Sequence, residues 1–214
     1  MRDVSIDFLR ALLEKRLGGV TKRSARVDNV IDKNTGAAGD IADNVHDFGW
    51  FCDKRYHVLC GSVELPYSHR KVTTWVMFTN HHSNSWKGAI QYVNDAVYDY
   101  SSWLGDYPYD NCTALQGALE AGGGMEYPTI TVISADASPK GLDIVIAHEV
   151  GHNWLYGILG FNEREHPWMD EGINSYYENR YDETEYLGDK LMGNLALMTK
   201  NFQLEKYPHQ YQYY

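Results

Sequence analysis

The spacing of apolar positions changes several times along the chain, and each spacing predicts an element. Ile6, Leu9, Leu12, Leu13 and Leu17 recur at helical intervals before Gly18-Gly19, which predicts an amphipathic helix with a glycine stop. "IDKNTGAAGDIADN" (31–44) loses that pattern to Gly, Asn and Asp and reads as a long loop or linker. From about residue 44 the texture changes. "RYHVLCGSVEL" (55–65) and "RKVTTWVMFT" (70–79) alternate or cluster β-branched and aromatic residues, as strands do. Residues 85–104 set Trp86, Ile90, Val93, Val97 and Trp103 at helical spacing, with Asn84 as cap and "GDYPYDN" as breaker. "GGGMEYPTITVISA" (122–135) runs from glycines into an alternating strand. Residues 142–159 read as a largely apolar helix, and Pro167 opens another that reaches roughly Tyr181. The tail "YPHQYQYY" has no pattern, and no internal repeat is visible.

A chain of 214 residues can bury one full core. We divide it into residues 1–43, an N-terminal helix and linker, and residues 44–214, the main domain. The net charge of −10 and the lack of a basic stripe argue against nucleic acid and for cationic ligands such as a peptide ammonium. Cys52, Cys60 and Cys112 fit neither a metal-ligand spacing nor a disulfide framework. No apolar run is long enough to span a membrane. The start lacks an apolar signal-peptide region, which leaves the compartment open.

The chemistry concentrates in "IAHEVGHNWLYG" (146–157). A helix turns once in about 3.6 residues, so His148 and His152 share a face and can direct two imidazole nitrogens at one ion. Zinc accepts such donors. Glu149 faces beside that point, as suits a base acting on metal-activated water. A third ligand must come from elsewhere. The positions three and six after His152 are Leu155 and Ile158, which removes a third histidine there. Glu171 in "WMDEG" follows His152 by nineteen residues, the gluzincin separation. Requiring it with the first motif lowers a chance match to roughly one in a thousand. His166 and the His81-His82 pair read as loop residues.

Four segments together resemble the zinc aminopeptidase family of the gluzincins, which includes aminopeptidase N and leukotriene hydrolase. "GGGMEYP" (122–128) resembles that family's Gly-x-Met-Glu-Asn strand, "HEVGHNW" (148–154) its zinc helix and "WMDEG" (168–172) its Trp-Leu-Asn-Glu-Gly. "NVHDFGWFCDKRY" (44–56) resembles the opening of the catalytic domain. The resemblance covers roughly residues 44–182. It implies an α+β, thermolysin-like catalytic domain, with a mostly antiparallel sheet packed on helices that include the zinc helix. It implies one zinc held by His148, His152 and Glu171, with Glu149 as general base. Gly122, Gly123 and Gly124 would offer backbone to an extended substrate, and Glu126 would hold its free amino terminus. Tyr127-Pro128 departs from the family's Asn.

Glu178, seven residues after Glu171, lies on the same helix face and can accept a hydrogen bond from a ligand histidine. The family's oxyanion-stabilising tyrosine has no counterpart in the 43 residues after Glu171, which implies a catalytic-domain fragment, truncated at its C-terminus and of weak or no activity alone. The expected function is therefore an aminopeptidase for peptides with a free amino terminus. Its alternatives are a zinc endopeptidase and a zinc-stabilised peptide-binding fragment without turnover.

Overall fold

The computed structural model describes residues 37–39, 45, 49–119, 123–134, 138–160 and 162–200. Strand β1 (Ala37–Gly39) pairs antiparallel with β2 (Trp50–Cys52). Part of the expected linker is thus sheet. The expected N-terminal helix and the tail lie outside the described residues.

The main sheet holds β3 (His57–Glu64), β4 (Lys71–Phe78), β5 (Asn111–Gly117), β6 (Gly124–Met125) and β7 (Ile130–Ser134), in the order β3-β4-β5-β7-β6. Its outer pairs, β3/β4 and β6/β7, are antiparallel, but β4/β5 and β5/β7 are parallel. The expectation of a mostly antiparallel sheet is corrected to a mixed one. Helices α1 (Ser83–Trp86) and α2 (Ala89–Leu104) lie between β4 and β5, and that crossover lets the two strands run parallel. The fold is mixed α+β.

Strand β5 escapes the alternation rule because both of its neighbours are parallel and nearly all of its residues are buried. Its polar residues are paired: Gln116 Oε1 accepts from Thr79 N at 2.7 Å, and Thr113 N donates to Thr129 O at 2.8 Å. Asn84 lies inside α1 and is no cap, since α2 starts only after Gly88. Gly105 ends α2 at φ +97, a left-handed conformation that disfavours side chains. The larger core packs the sheet against the helices and includes Val76, Val93, Val97, Ala114, Ile146 and Val150. A smaller one on Met77, Leu115, Ile130 and Val132 covers the opposite sheet face.

Helix α3 (Pro139–Leu155) begins three residues before the sequence pattern suggests. Ser138 Oγ accepts from Gly141 N at 3.1 Å and Pro139 occupies the first turn, where its missing N–H costs nothing. The helix packs against α2, α4 and the sheet, which explains why it is apolar almost all round. A π-helical turn, Trp168–Gly172, follows Pro167 and leads into α4 (Ile173–Lys200). Among the described residues no helix is long and apolar enough to cross a membrane.

Candidate metal centre

Helix α3 directs both histidine side chains to one point. His148 Nε2 and His152 Nε2 are 3.1 Å apart. That is close to the separation of about 3.3 Å expected for two nitrogens on one tetrahedral ion at about 2.0–2.1 Å. Glu171 Oε2 lies 3.4 Å from the first nitrogen and 3.9 Å from the second. Two imidazoles and a carboxylate oxygen form a donor set that suits zinc, so the residues fit the ion their spacing implies.

Each histidine is held from behind. Glu178 Oε2 is 2.7 Å from His148 Nδ1, and Asp170 Oδ1 is 2.5 Å from His152 Nδ1. Such carboxylates fix the ring and its tautomer so that Nε2 faces forward. Burial works against charge on His148, yet Glu171 and Glu178 outweigh it and lift the ring to about 10. For His152 burial again opposes the charge, and Asp170 outweighs it. The site thus attracts a cation or a proton, and the two compete for the same nitrogens.

Asp170 did not emerge from the sequence. The signal was available, since a ligand histidine calls for a partner at its other nitrogen and a second carboxylate adjoins Glu171. The π-helical turn gives Asp170 and Glu171 different tasks. One reaches His152 Nδ1 and its neighbour turns toward the Nε2 atoms.

Helices α3 and α4 approach closely where Gly151 leaves a notch. A Cβ at Gly151 would lie 2.1 Å from Asn174 Oδ1. Asn174, fully buried, donates through Nδ2 to His148 O at 2.7 Å. The carbonyl of one candidate ligand is thereby tied to the helix that follows Glu171. On the opposite flank Asn153 Oδ1 accepts from Thr129 N at 2.9 Å. This contact holds a turn in which Ile130 N donates to Tyr127 O, with Pro128 second and Thr129 third at φ +67.

Glu149 is 5% exposed, and its Oε2 has no protein partner. Burial pushes its pKa up to about 7, with Glu126 and Glu171 adding and the two histidines opposing. Beside it runs Gly124, where a Cβ would fall 2.3 Å from Glu149 Oε1. The glycine therefore has a role that the sequence reading did not assign, as the seat of this carboxylate. Gly123 O accepts from Ser134 N at 2.8 Å, so that carbonyl is engaged within the sheet. The pairing leaves Gly124 turned outward on edge strand β6. Gly122 lies outside the described residues. Glu126 has a carboxylate oxygen within 4.8 Å of donor atoms of Glu149 and His152. Neither His166 nor His81 joins a cluster of metal-binding geometry among the described residues.

Two histidines aimed at one point on a buried helix, with Glu171 facing them and a buried carboxylate alongside, make a candidate metal centre. No family model matches the chain. Part of it is similar to leukotriene A-4 hydrolase of Xenopus laevis, with 37% identity over 62 residues, 28% of this chain and 10% of that protein. Leucine aminopeptidase 2 of Sclerotinia sclerotiorum is 37% identical over 83 residues, 35% of this chain and 13% of the relative. Among solved structures, a two-domain M1 zinc metallopeptidase bound to L-arginine superposes with a TM-score of 0.54 at 15% identity. That match covers 70% of this chain and 34% of the neighbour. Legionella pneumophila aminopeptidase A, in complex with aspartic acid, gives a TM-score of 0.54 at 14% identity over 64% and 17% of the two chains. At such identities the structural likeness concerns the fold. The matches span about a tenth of the curated relatives and between 17% and 34% of these solved neighbours. Together they bear out the resemblance to the zinc aminopeptidases of the gluzincins.

Proposed function

We propose that the chain carries the zinc-holding part of a thermolysin-like aminopeptidase, which removes the N-terminal residue of peptides. The observation that carries this reading is the convergence of His148 Nε2, His152 Nε2 and Glu171 Oε2 beside a buried Glu149 whose Oε2 has no hydrogen-bond partner. Zinc held by those three residues would supply Lewis acidity, polarising a carbonyl and acidifying water. Glu149 takes the water's proton and returns it to the leaving amine, a task suited by a carboxyl poised near neutrality. Asp170 and Glu178 keep the imidazoles oriented. Glu126 receives the substrate's α-ammonium, and Gly124 offers its outward backbone to the extended peptide.

An endopeptidase would use the same centre but would need no anchor for an amino end. Glu126, within 4.8 Å of the Glu149 and His152 donor atoms, favours the aminopeptidase. Matched peptides with free and acetylated amino ends test the reading on the zinc-loaded chain. Free-amine peptides should bind at least tenfold more tightly, because acetylation leaves Glu126 without its charged partner. Equal binding of the two would remove the aminopeptidase assignment.

A further inference from the structure

The ladder between β6 and β7 ends at the pair Met125↔Val132, so Glu126 lies one residue past the last strand pairing. What fixes it is the turn that follows. Met125 O accepts from Thr131 Oγ1 at 3.2 Å and Tyr127 O from Ile130 N at 3.1 Å, which brackets Glu126 on both sides. A turn with φ +67 at its third residue ordinarily has glycine there, yet this one has Thr129. A β-branched residue rarely adopts that conformation and needs its surroundings to enforce it. The Thr129 hydroxyl does not do so, since its Oγ1 is buried with no hydrogen-bond partner among the described residues. Two backbone contacts do. Thr129 O accepts from Thr113 N of β5 at 2.8 Å, and Thr129 N donates to Asn153 Oδ1 of α3 at 2.9 Å.

Asn153 is almost wholly buried and directly follows His152. Its Nδ2 donates to Val150 O at 3.0 Å. A carbonyl can only accept and Thr129 N can only donate, so the amide serves both partners in one orientation alone. The helix that aims both imidazoles thus also fixes, one residue on, the turn behind Glu126. Glu126 in turn has a carboxylate oxygen within 4.8 Å of donor atoms of His152 and Glu149. We infer that Asn153 is a positioning residue for Glu126. It holds that carboxylate at the distance from the histidine pair that lets one residue fit between a substrate's free amino end and the bond to be cut. This inference rests on the aminopeptidase reading.

Calorimetric titration of the zinc-loaded full chain with L-leucine amide and N-acetyl-L-leucine amide tests it. Wild type should prefer the free amine about tenfold, the gain expected from one charged hydrogen bond. Asn153→Ala should lose most of that preference through weaker binding of the free amine alone, with zinc content unchanged. Asn153→Asp keeps an acceptor for Thr129 N and should keep most of the preference. Glu126→Ala should lose the preference too, and adding Asn153→Ala to it should cost nothing further, because the effect passes through Glu126. A full preference in Asn153→Ala overturns the inference. So does an equal loss for both ligands, or a further loss in the double variant. If the alanine variant does not fold, Asn153→Ser, whose hydroxyl is too short to reach Thr129 N, takes its place with the same expected loss. Equal binding of both ligands by wild type removes the aminopeptidase reading, and this inference with it.

Discussion

Glu149 owes its position to a side chain that is missing from its neighbour. Gly124 gives the carboxylate a seat on the strand backbone, and a methyl group there would fall 2.3 Å from Oε1. Gly124→Ala should therefore shift Glu149 and cut hydrolysis on the order of 10²-fold while zinc content stays the same. Turnover and metal analysis on one preparation check both halves. Full turnover would show that the base does not need this seat. Asp170 acts through His152. Replacing it with asparagine keeps the shape but removes the charge that orients the ring, so zinc affinity should fall about 10–100-fold. Chelator competition measures that loss, and unchanged affinity would mean that His152 is held by packing alone. The sequence pointed to His148, Glu149, His152 and Glu171 because they carry a fixed spacing. Asn174 and the seat at Gly124 depend on how elements meet, which spacing along one chain does not record, whereas Asp170 was signalled only by its place beside Glu171.

At the scale of elements, strands β3 and β4 and helix α2 were legible because their apolar periods match the faces they bury, while β7 and α3 were legible from apolar runs next to glycine and proline signals. Strand β5 was not. Parallel neighbours bury both its faces, and "NCTALQG" pairs its polar groups internally rather than alternating toward solvent. The interface of α2 with α4 carries charge that no period reveals. Asp99 is raised by burial and then by Asp95, and its hydrogen bond with Glu185 opposes that rise. Glu185 is likewise raised, by burial first. A carboxyl with a higher pKa in the folded state contributes stability below its unfolded value, and this is lost as pH rises through the folded value. Near neutrality the interface therefore pays for burying Asp99 as an anion. Asp99→Asn should raise Tm at pH 7, and the gain should shrink as pH falls toward 3.8, the ordinary value for an aspartate. Thermal melts of wild type and variant across that range decide it. A gain that does not depend on pH would assign the effect to packing instead.

For the whole molecule, the candidate ligands join parts that folding must bring together. His148 and His152 sit on α3, whereas Glu171 belongs to the turn that opens α4. Asn174 and the Gly151 notch already hold these helices in register, so an ion has little geometry left to impose. What it adds is relief of charge. Glu171, Glu178 and Asp170 crowd two imidazoles that are otherwise driven to take up protons. Zinc should therefore bind the native chain far better than the unfolded one and stabilise it by mass action. At a free concentration one hundred times Kd, the gain is about 2.7 kcal/mol. For a chain of this size each kcal/mol moves Tm by about 2–4 °C, so adding zinc should raise Tm by roughly 5–10 °C. The gain should weaken on acidification, because protons then claim the nitrogens that the metal needs. His152→Ala should melt at one temperature with or without zinc, since it leaves only His148 and Glu171 on the ion. Calorimetry with and without a chelator, on wild type and variant, measures all of this. A wild-type Tm indifferent to zinc would mean that these three residues form a charge cluster and not a metal centre.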